Sequence, residues 1–334
     1  MRDAKHPALT YDNTMGNIIS RSDVAGGATW TYSATKKHAV TQAGSSSFVY
    51  AYDANGNMSS RQGQTIQWAS YNYPIFISAG SGPTAESVSF AYGPDRSRWQ
   101  QIYTGNGTTE TTDYIGGLMD VVISGAPVDY RHYIYAGSEP VAVYSRKSSG
   151  VNAFSYFLTD HQSSVAKVVN GSTGAVAVSE SFAPFGNRRD PSTWSGSASN
   201  ADLTTAAGIS RQGYTFQTQL GLWMGLYHMN GSVQDAVTGR FLSADPSAPD
   251  QMNPQDCNRY SYAHNSPLTF FDPTGFLPLF LNSRTEMTGG ETVTRSTAPL
   301  PAGVKPAAVR CLFGISPASD RRPPAPETAA LGWV

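Results

Sequence analysis

The chain has 334 residues, of which 14% are charged, and a formal net charge of −1. That length holds one large or two ordinary domains, and the near-neutral balance excludes a strongly basic field for nucleic acid. A hydrophobic content of 40% excludes disorder throughout, while 32 Gly and 18 Tyr predict strands and turns over helices.

The first residues, MRDAKHPALTYDNTMGNIISRSD, contain no apolar run of signal-peptide length. No stretch approaches the roughly 20 apolar residues of a membrane helix. A repeat begins almost at once. Its clearest copy is Tyr52-Asp53-Ala54-Asn55-Gly56-Asn57-Met58-Ser59-Ser60-Arg61. Tyr11 to Arg21 repeats it with one extra residue, and Phe182 to Arg189 is a degenerate third copy. The unit has the logic of a hairpin. An aromatic closes one strand, Asp and Asn bond the turn backbone, and Gly takes positive φ.

The flanks alternate as strands do. Phe48, Tyr50 and Tyr52 share one face of the first, and Val88 to Tyr92 leads into a turn at Gly93–Arg98. Tyr130–Tyr135 and Pro140–Tyr144 predict a hairpin around Ala136-Gly137. Tyr156–His161 and Ser164–Val169 predict another. Residues 1–189 therefore form a repeat region of β-hairpins. Small polar residues from 190 to 212 predict a loop, and short aromatic strands with tight turns fill 213–276. Beyond Phe276 the composition shifts, and eight of the 21 prolines lie in the final 58 residues. Such a segment, 277–334, cannot bury enough apolar surface to offset an ordering cost of about 1–2 kcal/mol per residue, so it is expected to be largely disordered.

The segment Gly221–Phe276 carries a resemblance. It runs GLWMGLYHMNGSVQDAVTGRFLSADP, then NRYSYAHNSPLTFFDPTGF. With the repeats, it resembles RHS/YD-repeat proteins, whose repeat-associated core ends at D-P-x-G-[LF]. The Tyr156–Val165 block resembles the segment just upstream of that core. The resemblance implies an all-β fold of antiparallel hairpins forming part of a curved, cocoon-like shell. It implies a core at 213–276, and a variable C-terminal segment enclosed and presented by the shell. As in the C subunits of Tc toxins, it also implies aspartate-protease-like self-cleavage, in cis only. Asp245 of Ser-Ala-Asp-Pro and Asp272 of Asp-Pro-Thr-Gly-Phe match the acidic positions, Arg240 supports them, and the cut falls between Phe276 and Leu277. Two adjacent carboxylates share a proton, so one activates water while the other protonates the carbonyl. In one departure, Ser232 and Gln234 stand where the family has Arg and Tyr.

Other signals are bland. No histidine lies beyond Phe276, which removes His-based chemistry and His metal ligands from the tail. Cys257 and Cys311 read as two ordinary thiols. Asp160-His161 near Ser163 and Ser164 reads as a satisfied turn rather than a triad fragment. No cofactor-binding or metal-binding motif is present, and no nucleic-acid partner is expected. The expected partners are upstream repeats or a shell subunit, with an immunity protein or secretion apparatus. The expected location is secreted or on the cell surface, within a larger protein. Three functions stand open: a polymorphic-toxin delivery scaffold used in bacterial competition, a cell-surface module binding glycans through aromatic faces, and an inactive truncated tip.

Overall fold

An aromatic residue followed by a short polar turn is the unit from which the chain is built. In the Tyr52 copy, Asp53 N–H donates to Asn57 O at 2.8 Å and Asn57 N–H donates back to Asp53 Oδ1 at 2.8 Å. Gly56 takes φ +90°, a region that side chains resist. Asp12 plays the same part for Thr14, Met15 and Asn17. The closure from one N–H to the carbonyl four residues on recurs at Ala69/Tyr73, Gly93/Ser97, Asp160/Ser164 and Ala183/Asn187. In each of the first three pairings the register shifts at the aromatic, Tyr11, Tyr32 and Tyr52, and it shifts again at Trp68. The extra residue of such a bulge bends the strand and increases its twist. Successive hairpins therefore curve.

The computed structural model describes residues 7–296, apart from 83–84, 106, 247–256, 277, 281–282 and 289–290. Its largest sheet has 13 strands in chain order, from Tyr50–Tyr52 to Val176–Ser179, each antiparallel to the next. The expected hairpin around Ala136-Gly137 is present as Asp129–Ala136 paired with Glu139–Lys147. Two earlier hairpins precede the sheet: Leu9–Tyr11 with Ile18–Arg21, and Trp30–Tyr32 with Val40–Ala43. A bridge between Gln42 and Val49 joins the second of them to it. The fold is all-β, an open curved strip of hairpins.

The strip wraps a smaller, C-terminal sheet. Thr218–Leu220, Leu226–His228, Val233–Asp235 and Arg240–Phe241 form four strands in which every residue is buried. Strands covered on both faces must be apolar or fully hydrogen-bonded. Ile66, Ile77, Val88 and Phe90 of the strip pack with Leu220, Leu226, Met229 and Phe241 in one cluster. A second cluster holds Tyr133, Val143, Phe157, Val168 and Val178 against Ala206.

Ala206 belongs to a helix, Asn200–Ile209, inside the segment expected to be a loop. Ser199 caps it: Oγ accepts from Asp202 N–H at 3.1 Å and donates to Asp202 Oδ2 at 2.6 Å. Ser-x-x-Asp is the spacing of a capping box. The helix body is short and rich in Ala and Thr, and the face it buries carries one large apolar residue, Leu203, beside Ala206, so its composition resembles that of a loop. Two short pairings involve the described part of the tail. Leu279–Phe280 pairs with Phe270–Phe271, and Ser283–Thr288 pairs with Glu291–Ser296. Residues 297–334, and Cys311 among them, lie outside the described residues. Cys257 is exposed.

Candidate functional site

The D-P-T-G-F element is a turn held from three sides. Asp272 is 1% exposed, and its Oδ1 accepts from Thr274 N–H at 3.1 Å, Thr274 Oγ1 at 3.3 Å and Gly275 N–H at 2.8 Å. Such a side chain pre-forms the turn by substituting for a backbone acceptor. Gln217 Nε2 donates to Pro273 O at 3.0 Å, and Gly231 N–H donates to Thr274 O at 2.9 Å. Gly231 N–H is shared with Met229 O at 2.8 Å. Phe270–Phe271, just before the element, pairs with Leu279–Phe280, just after it. Phe276 is half-buried there, and Leu277 lies outside the described residues.

Glycines make this contact close. Gly275 has φ +76°, and a Cβ on it would fall 2.7 Å from Ser232 N and nearer still to Met229 O. A Cβ on Gly231 would fall 2.6 Å from Phe276 Cδ2 and nearer to Cε2 and Cζ. The Met229–Ser232 turn and the 272–276 element therefore touch backbone to backbone.

Around this contact the side chains are buried. His228 is 2% exposed, and burial holds its imidazole well below the usual range, with the Arg98 charge acting in the same direction. Its hydrogen bonds fix the tautomer. Asn230 N–H donates to Nδ1 at 3.2 Å, so the proton sits on Nε2 and is donated to Tyr92 Oη at 3.1 Å. Tyr92 in turn donates to Pro74 O at 2.8 Å. Burial pushes the Tyr262 hydroxyl up, and the neighbouring Asp272 carboxylate pushes the same way. Ser232 and Gln234, the two departures from the resemblance, are 3% and 0% exposed. Gln234 Nε2 donates to Phe185 O at 2.9 Å. Ser232 Oγ and Gln234 Oε1 are buried without a hydrogen-bond partner among the described residues.

The other expected site residues have different surroundings. Asp245 is half-buried; its N–H donates to Arg259 O at 2.8 Å, and Arg259 Nε donates to Asp245 O at 2.5 Å. Arg240 is 1% exposed and directs its Nη donors to Asn258 at 3.0 Å, Asn17 at 3.3 Å and the Tyr32 hydroxyl at 3.1 Å. It thus ties the core to the first two hairpins. A set of arginines that sequence reading left without a role does the same elsewhere. Arg21 donates to Ala236 O and Val237 O, Arg61 to Met224 O and Asp235, Arg98 to Thr218, and Arg188 to Gln219. Each follows a repeat turn, so its spacing was visible, but its inward direction was not. Gln217 carried no signal at all, and Gly231 read only as a turn residue.

No family model and no curated protein matches the chain. Solved structures do. The crystal structure of TcdB2-TccC3-Cdc42 superposes with a TM-score of 0.63 at 19% identity, covering 81% of this chain and 13% of that one. The Photorhabdus luminescens Tc holotoxin pore carrying a TccC3 mutation gives 0.62 at 20%, covering 87% and 14%. TcdB2-TccC3 without its hypervariable C-terminal region gives 0.61 at 19%, covering 81% and 13%. These likenesses establish the fold, a curved all-β shell like that of the Tc-toxin chains, of whose length this chain spans 13–14%.

Proposed function

We propose that the chain is the closing part of a toxin-delivery shell, secreted as part of a larger assembly, that encloses and presents the segment beyond Phe276. Upstream repeats or a shell subunit complete the wall. The core then releases the segment by hydrolysing the Phe276–Leu277 bond. Water adds to the Phe276 carbonyl, the C–N bond breaks, Phe276 keeps a carboxylate and the Leu277 nitrogen takes the proton. Asp272 and Asp245 supply the acid and base. An intramolecular bond needs no binding step, so positioning supplies much of the rate. The observation that carries the reading is the D-P-T-G-F turn: its Asp272 is 1% exposed, and the strand before it, Phe270–Phe271, pairs with Leu279–Phe280 of the tail. The likeness to TcdB2-TccC3 chains supports the shell.

The test is intact mass of the purified chain beside Asp272→Asn and Asp245→Asn. A fragment ending at Phe276, absent from both variants, is expected. An uncut 35.7 kDa chain in all three would refute self-cleavage and leave a scaffold.

A further inference from the structure

The ring of Phe276 stands where a Cβ on Gly231 would be, and nothing about turn formation demands this. Gly231 lacks the positive φ that would explain a glycine by backbone strain. What it lacks room for is a side chain: the space a Cβ would take is occupied by Phe276 Cδ2, Cε2 and Cζ. The opposing glycine, Gly275, does need its backbone conformation, φ +76°, and brings the element down onto Met229 O and Ser232 N. The Thr274 O–Gly231 N–H bond at 2.9 Å and the Pro273 O–Gln217 bond at 3.0 Å fix the height of the contact.

We propose that Gly231 is the specificity-determining residue of the cleavage element: its bare backbone is the seat for the side chain at 276, and seating that ring registers the next bond, Phe276–Leu277, for hydrolysis. The inference rests on the self-cleavage reading above. A flat ring lies against a bare backbone strip; a side chain at 231 lifts it. The ring is the flexible partner, so Gly231→Ala displaces Phe276 while the buried strands stay in place. A displacement of about 1 Å at the reacting bond costs on the order of 10²-fold in rate.

The experiment is a double-mutant cycle on the full chain, with cleavage rate and cut position read by intact mass. Gly231→Ala is expected to slow the cut at Phe276–Leu277 on the order of 10²-fold, or to move it. In a Phe276→Ala background, where no ring is left to clash, the same change is expected to cost no more than about twofold. An equal cost in both backgrounds would overturn the seat, because Gly231 would then act through the backbone or through folding. Amide exchange of the 226–233 peptide reads the seat without cleavage. Its protection is expected to fall in Gly231→Ala and to return in the double variant. If the wild-type chain stays uncut, the self-cleavage reading fails, and the exchange result still decides the seat: unchanged protection in Gly231→Ala overturns it.

Discussion

Removing the guanidinium of Arg61 tests whether the core is held by inward arginines. Arg61 and Asp235 are 1% and 0% exposed, and Nη2 meets Oδ1 at 2.6 Å. Asp235 keeps two other donors, Val237 N–H at 2.9 Å and Thr238 Oγ1 at 3.0 Å. The Met224 carbonyl, which accepts from Arg61 at 2.6 Å, keeps Gln64 Nε2 at 3.2 Å. Arg61→Met therefore strands one buried carboxylate and the Oε1 of buried Gln64, which accepts from Arg61 Nη1 at 2.8 Å. Breaking a buried pair from one side costs about 3–5 kcal/mol, and the surviving donors put this case near 3. Against a typical total of about 5–15 kcal/mol that is a large share. Arg61→Met/Asp235→Leu removes both charges and is expected to cost less than the sum of the singles by about 2 kcal/mol or more. Urea unfolding followed by tryptophan fluorescence measures all four corners of the cycle. A single-variant loss under about 1 kcal/mol, or strict additivity, would refute the anchoring role.

Acid should loosen the seat of the D-P-T-G-F element through His228. Its folded pKa is lowered, so below the unfolded value near 6.5 the unfolded chain binds a proton that the folded chain does not. The contribution is complete above that pH and declines by up to about 1.4 kcal/mol per pH unit as pH falls through the window below it. His228→Asn should flatten the slope of stability between pH 7 and 5.5, and an unchanged slope would sink the assignment. Ser232→Ala should be neutral or stabilising, by up to about 1–2 kcal/mol, because it deletes a buried hydroxyl that has no partner among the described residues. A loss above about 1 kcal/mol on chemical denaturation would show that the hydroxyl is satisfied after all.

The repeat turns were legible because they are local. An aromatic, Asp or Asn, and Gly within six residues are enough to specify a turn, as in Tyr52–Asn57. The copies at Ala69/Tyr73 and Ala183/Asn187 use the same backbone closure with other side chains, so the sequence showed them faintly or not at all. The helix at Asn200–Ile209 escaped because its only clear signal is the Ser199–Asp202 cap.

The inner core was legible in outline only, and the reason is geometric. Whether an arginine after a repeat turn points outward or inward depends on the face its strand presents. A single-residue bulge moves side chains to the other face. The shifts at Tyr11 and Tyr52 skip Ile19 and Ser59, inside the strands that end at Arg21 and Arg61, so alternation in the sequence cannot be carried across them. The seat for Phe276 is further out of reach. Gln217, Gly231 and Thr274 stand far apart in the chain and meet only because the strip forces the buried sheet against its own C-terminal hairpin. The same wrapping bears on function. A turn whose acceptors are filled by distant donors stays formed only while Gln217 and Gly231 stay in place. If the core cuts at Phe276 as proposed, a chain with a broken Arg61 anchor should lose the cut before it loses its strands.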